Sequence, residues 1–315
     1  MKLRKTLMLL YFFLFIIYSN ISICEEKNEK WYTLQKNNIN VLCIKKDINN
    51  GKKIIDFADK KFTKISSDLG FIPQDIITII IAPSIKKFYN IAGNNLPEWS
   101  SGAAIPSQRI ILLKSPRKTN PDVNLEKIIM HELTHIGLHL ATDGQDLMKW
   151  FNEGFAQYYS GELNMHAKIL MAKRLLSNNF LTLEEIDEVL TFRKSEATLA
   201  YEEAHAAVLY LIELGGLEAV KILIDNLKQT GNMNQAMKAS IHLGFEEFEK
   251  RWIDAMKKRY LWLVIFDYRL IISILFIILF LAAYLVKIKH AKKIKQNWER
   301  EDIENFQTDE KNILD

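Results

Sequence analysis

The chain is 315 residues long, 49% hydrophobic and carries a formal net charge of +4, which allows a sizeable core and more than one domain. That charge is unevenly placed: residues 1–5 carry +3, 287–300 carry +5 and 301–315 carry −5, leaving the bulk nearly neutral. A folded domain that binds nucleic acid carries a basic patch of its own, whereas here the basic residues flank apolar segments, so no nucleic-acid partner is expected. Two cysteines, Cys24 and Cys43, support no disulfide framework.

The chain opens with Lys2, Arg4 and Lys5, an apolar run from Leu7 to Tyr18, and then Ser19, Asn20 and Ser22. That order is a secretory signal pattern, and residues 1–24 read as a signal peptide or an uncut N-terminal anchor, with Cys24 at the candidate cut. The bulky Ile23 before Cys24 argues against lipoprotein processing. Between Trp31 and Pro116, the β-branched runs Ile39–Ile44, Ile76–Ala82 and Arg109–Leu113 predict strands, with Cys43 as a small core residue on the apolar side of the first. Lys52–Leu69 has helical spacing, and Asn94–Pro106, with Pro97, Gly102 and Pro106, reads as a loop. Beyond Pro121, helical periodicity dominates as far as Arg259, with breaks near Gly144, Gly161, Asn178, Gly216 and Gly231 and no fixed repeat. The whole predicts an α+β domain over residues 25–260, mostly helical in its C-terminal half.

A second apolar run, Leu270–Val286, holds no charge and reaches roughly 25 Å as a helix, near the lower limit for crossing the hydrocarbon core. Trp262, Tyr268 and Tyr284 stand near its ends, and Lys287, Lys289, Lys292, Lys293 and Lys295 follow it. Residues 268–287 are therefore expected to form a single-pass C-terminal anchor, with 288–315 as a cytoplasmic tail. Asp267 and Arg269 fall at the outer interface, and Glu299–Asp315 is expected to be a solvated end. Because the N-terminal basic cluster also prefers the cytoplasm, residues 25–260 are placed on the extracytoplasmic side of the membrane.

The chemistry-bearing motif is His131-Glu132-Leu133-Thr134-His135 within a helical pattern that starts near Val123. Spacing i, i+4 stacks the two imidazoles on one face, where they can share a metal ion. Glu132, turned by about 100° from His131, reaches the open side of the ion, as a general base must. A carboxylate, Glu153, follows 18 positions after His135, far enough for the first helix to end at Gly144 and a second to return. Two imidazoles and one carboxylate with a vacant fourth position suit a hydrolytic zinc site, one Zn2+ per chain. His139 extends the series, but the three-histidine pattern needs Gly and His where this chain has Leu138 and Ala141, so His139 is read as a non-ligand.

Trp150-Phe151-Asn152-Glu153-Gly154-Phe155-Ala156 resembles the W-x-N-E-G-F-A motif of the aminopeptidase-like branch of the gluzincins, zinc metallopeptidases of the peptidase MA type. The interval between the two motifs is one residue shorter than is usual there. Tyr201-Glu202-Glu203-Ala204-His205 is similar to the Y-E-K-G-A segment of that family, and the resemblance implies that the Tyr201 hydroxyl supports the oxyanion of the tetrahedral intermediate. His205, one turn on, either helps to polarise the carbonyl or is a satisfied structural histidine. Leu96–Ala104 followed by Arg109–Leu113 resembles the loop and strand that line the cleft in related membrane peptidases, where an edge strand pairs with extended substrate. The G-x-M-E-N motif of true aminopeptidases is missing, which makes an endopeptidase the expectation. The resemblance thus implies a zincin-like fold, a membrane-anchored zinc metallopeptidase, and a peptide or protein substrate. The competing reading is a catalytically lapsed binding or assembly protein on the same fold, and an intact Glu132 argues against it.

Overall fold

The computed structural model describes residues 30–92, 100–118, 124–161, 165–192, 194–266 and 268–314. The N-terminal leader with Cys24, the stretch Leu96–Trp99 and Asp267 lie outside the described residues. Two units are distinguished: the first holds the chain to Asp146 with Tyr159–Gly161 and Leu217–Asn232, the second Leu147–Tyr158, Glu162–Gly216 and the chain from Met233.

In the first unit, β1 (Trp31–Lys36) and β2 (Ile39–Ile44) form an antiparallel hairpin whose turn holds Asn37 in the left-handed region. Helix α1 (Ile48–Leu69) carries the chain across to β3 (Ile77–Ala82), parallel to β2, as a parallel pair requires. After α2 (Ile85–Ala92), β4 (Gly102–Ile105) and β5 (Ile110–Lys114) form a second hairpin, and β5 joins β3 in parallel. The strand order is β1-β2-β3-β5-β4. Ile39, Val41 and Cys43 on β2 and Ile77, Ile79 and Ile81 on β3 are buried, the period-two pattern of a strand with its main face on the core. Cys43 is a core residue as read, and burial pushes its thiol up.

Two features depart from the sequence reading. β1 carries half-buried and exposed residues in no clean alternation, so only its pairing with β2 reveals it. The expected loop to Pro106 contains β4, whose Gly-Ala-Ala run lacks β-branched residues. The strand after Arg109, expected at the cleft edge, is therefore interior to the sheet. The edge on that side is β4, and Arg109 itself sits in the hairpin turn with φ 57°.

Helix α3 (Leu125–Ala141) carries the histidine motif. It starts at Asn124, whose side chain accepts from the Lys127 N–H, and ends before the left-handed pair Asp143 and Gly144, where the Gly144 N–H donates to the His139 carbonyl. One flank of α3 crosses α1 so closely that a Cβ at Gly137 would stand 2.7 Å from Ile65 Cγ2. The other flank meets β4, where a Cβ at Gly102 would stand 2.5 Å from Ile128 Cγ2.

The second unit is helical among its described residues. It contains most of α4 (Lys149–Ser160), then α5 (Met165–Leu176), α6 (Leu183–Phe192) and α7 (Lys194–Thr230) as far as its break at Gly216. It resumes with α8 (Met233–Ile241), α9 (Phe245–Tyr260), a 3-10 turn (Leu261–Phe266) and α10 (Tyr268–Leu314). The breaks at Asn178, Gly216 and Gly231 fall at left-handed residues, as read. Trp150, Phe151, Phe155, Phe248 and Trp252 are fully buried, with Trp150 stacked on Phe248 at 6.1 Å.

In α10, Ile271–Glu301 is long and apolar enough, by length and composition, to cross a membrane, and none of its apolar window is buried. The helix does not stop at Val286 but continues through the charged stretch to Leu314. No Gly or Pro interrupts Lys287–Leu314, and charges recur at helical spacing, as in Lys295 and Glu299 at 3.8 Å.

Replacing Gly137 by Val should overpack the α1–α3 crossing and cost about 1–3 kcal/mol. Denaturant melts of the full chain in detergent should show a lower midpoint at unchanged slope. An unaltered midpoint would mean that the crossing relaxes at no cost.

Candidate metal centre

His131 and His135 lie one turn apart on α3, half-buried, with ring centroids 4.8 Å apart and planes at 84°. The residues around them anchor the helix: Ile129, Leu133, Ile136 and Leu138 are buried, and the Thr134 hydroxyl donates to the Met130 carbonyl at 2.7 Å. Glu132 is 8% exposed. Its carboxylate lies against the edge strand, Oε1 being 3.1 Å from the position of a Cβ on Gly102. A side chain at residue 102 would therefore crowd both α3 and the carboxylate.

Glu153 is half-buried on α4. The Asp187 carboxylate, on α6, fixes the start of that helix by accepting from the backbone N–H groups of Lys149 at 3.0 Å and Trp150 at 2.7 Å. Thr182 and Glu185 start α6 with a reciprocal capping box, at 3.1 and 2.8 Å. Gly154 lets α4 lie directly on α7, since a Cβ there would be 2.5 Å from the Ala204 carbonyl oxygen.

One ligand atom from each of His131, His135 and Glu153 lies within 4.8 Å of the others. Two imidazole nitrogens and a carboxylate oxygen are the donor set of a hydrolytic zinc site, and these residues fit that metal. His139 does not enter the group, and its ring packs over Gly144 at the helix end.

Tyr201 stands half-buried on α7. Beside it lies a cluster whose partners on α5 are distant in the sequence. Glu203 is fully buried, with Arg174 of α5 donating at 3.4 Å. Burial pushes its carboxyl up to about 8, against the pull of Arg174. Burial likewise raises Glu202 to about 7, with Lys168 opposing. His205 is 3% exposed, and burial followed by the charge of Lys168 lowers it to about 4. It is therefore a neutral imidazole at neutral pH.

A sheet flanked by helices, with an HExxH helix beside its edge strand, is a metallopeptidase-like arrangement. The model of the Peptidase MA superfamily matches residues 57–258, well over half of the chain, and the chain belongs to that superfamily. Comparison with curated proteins gives no match. The family supports the gluzincin-type resemblance read from the two motifs.

The buried carboxyls make a signed pH prediction. Glu202 and Glu203 hold their protons more tightly folded than unfolded, so their contribution is complete below the ordinary 4.5 and is lost as pH rises through about 7 and 8. His205 acts oppositely: its contribution is present above 6.5 and is lost as pH falls through about 4. Between pH 6.5 and 8 the carboxyls alone of these three titrate, and the unfolding midpoint should decline. Glu203→Gln should flatten that decline, and a wild-type midpoint that is constant over the interval would contradict the burial of both groups.

Proposed function

We propose that this chain is a membrane-anchored, zinc-dependent endopeptidase. The observation that supports it most is the convergence of His131, His135 and Glu153 in a chain of the Peptidase MA superfamily, with Glu132 one residue from the first histidine. Bound by that triad, zinc would supply a Lewis acid that brings the pKa of a water toward neutrality. Glu132 takes the proton of the attacking water and later delivers it to the leaving amine. Its place against β4 lets an extended peptide on that edge present its carbonyl near the base. Tyr201 donates from its hydroxyl to the oxyanion. Residues 1–24 act as signal or second anchor, α10 spans the bilayer, and the Lys287–Lys295 cluster keeps the following residues in the cytoplasm.

Full-length protein should carry one zinc, which His131→Ala, His135→Ala or Glu153→Ala each abolish by elemental analysis. Glu132→Gln should retain zinc while hydrolysis of an unfolded protein falls by on the order of 10²–10⁴. Tyr201→Phe should cost about 10²–10³ in kcat, roughly 3–4 kcal/mol, with little change in KM. A loss of stability in place of turnover would make Tyr201 a packing residue. Cellular function that survives Glu132→Gln but needs the folded domain would replace the peptidase with a binding protein.

The orientation has its own test. Protease added to the outer face should remove an epitope at residue 100 and spare one at residue 310, and the reverse pattern would invert the topology.

A further inference from the structure

The inward face of α5 is ordinary: Ala167, Met171, Ala172 and Leu175 are buried. Its outward face is not. Met165 is 59% exposed, Leu170 36% and Leu176 65%. Helical spacing places residues 165, 169, 173 and 176 along one stripe with 166 and 170 beside it. Met165, Leu170 and Leu176 are exposed with half-buried Ile169 and Lys173 among them, on a helix that contains no acidic residue. Single exposed apolar side chains are normal, whereas a contiguous patch marks something that covers it.

The surroundings of α5 indicate the cover. The helix packs against the 3-10 turn Leu261–Phe266, which in turn contacts α10. Within that turn Leu263 is buried, while Trp262 is 57% exposed and its indole N–H donates to the Arg259 carbonyl at 2.7 Å. The turn spans roughly 12 Å at about 2 Å per residue, and the apolar span begins at Ile271. An element that packs on this turn adjoins the surface of any bilayer that α10 crosses. Indole rings favour that depth, and so does an exposed helix face that is apolar, with a basic residue and no acid.

We infer that the outward face of α5, together with Trp262, is a lipid-contacting surface seated on the bilayer at the foot of α10. The inference rests on the membrane-anchored reading. It ties the bilayer to the chemistry through α5 itself, because Arg174 on that helix holds Glu203 and Lys168 faces Glu202, both neighbours of Tyr201 on α7. The lipid seat thus fixes the helix that carries the proposed oxyanion donor.

The test uses the full chain in phosphatidylcholine–phosphatidylglycerol nanodiscs, with Cys24 and Cys43 replaced by Ala and single fluorophores attached through Leu170→Cys, Leu176→Cys or Phe280→Cys. Circular dichroism confirms that each variant is folded. The expected result is loss of most fluorescence at 280 with mid-chain doxyl lipid, strong quenching at 170 and 176 with headgroup-proximal doxyl lipid, and protection of both from aqueous iodide. Quenching at 280 by lipid, with 170 and 176 quenched only by iodide, would overturn the lipid seat and leave the anchor standing. Shielding of 170 and 176 from both quenchers would assign the patch to a protein partner and overturn it as well. Failure of lipid to quench 280 would remove the anchor and the seat together.

Discussion

Two histidines one turn apart serve a metal only if the helix that bears them cannot roll. In this protein α3 is gripped from two sides where a side chain is missing. Gly137 lets α1 press in beside Ile65, and Gly102 lets the edge strand close on Ile128 and Glu132. Each contact is shorter than a Cβ would tolerate, so neither partner can drift outward without opening a gap in a packed core. A roll of α3 would swing His131, Glu132 and His135 together. The two contacts therefore set the aim of His131, Glu132 and His135 as one rigid object.

Glu153 depends on a different kind of restraint. Its helix is short and begins with orphaned backbone N–H groups, which Asp187 receives. Asp187 is itself carried by a helix whose start is closed by Thr182 and Glu185. Gly154 then brings α4 onto α7 at Ala204, while Trp150 and Phe248 fill the core below. The position of one carboxylate thus traces back through a cap on a cap, and through a glycine next to the ligand itself. Apolar burial supplies the bulk of the stability here, and polar contacts supply the placement.

How much of this was legible in the sequence follows from how local each cause is. The motif helix, its end at Gly144, the β2 and β3 runs and the breaks at Gly216 and Gly231 are written in residues whose own preferences decide the outcome. The grouping of His131, His135 and Glu153 that could hold a metal was legible because spacing on a helix and motif order carry it. β4 was hidden because Gly102-Ala103-Ala104 is selected for the closeness of α3 and not for strand propensity. The capping role of Asp187 depends on a helix 37 residues away, and nothing near it betrays that role. Glu203 with Arg174 is likewise a partnership across 29 positions. The T-x-x-E pattern at Thr182–Glu185 was a visible signal for the start of α6.

The unbroken course of α10 has a mechanical side as well. Its 47 residues extend roughly 70 Å as a helix, more than twice the roughly 30 Å of a hydrocarbon core. Once such a rod crosses a bilayer, about 40 Å of it stands clear, at about 1.5 Å per residue. With no glycine or proline to act as a swivel between Lys287 and Leu314, a tilt or twist imposed at one end is delivered to the other. The far segment then behaves as a lever arm and not as a tether.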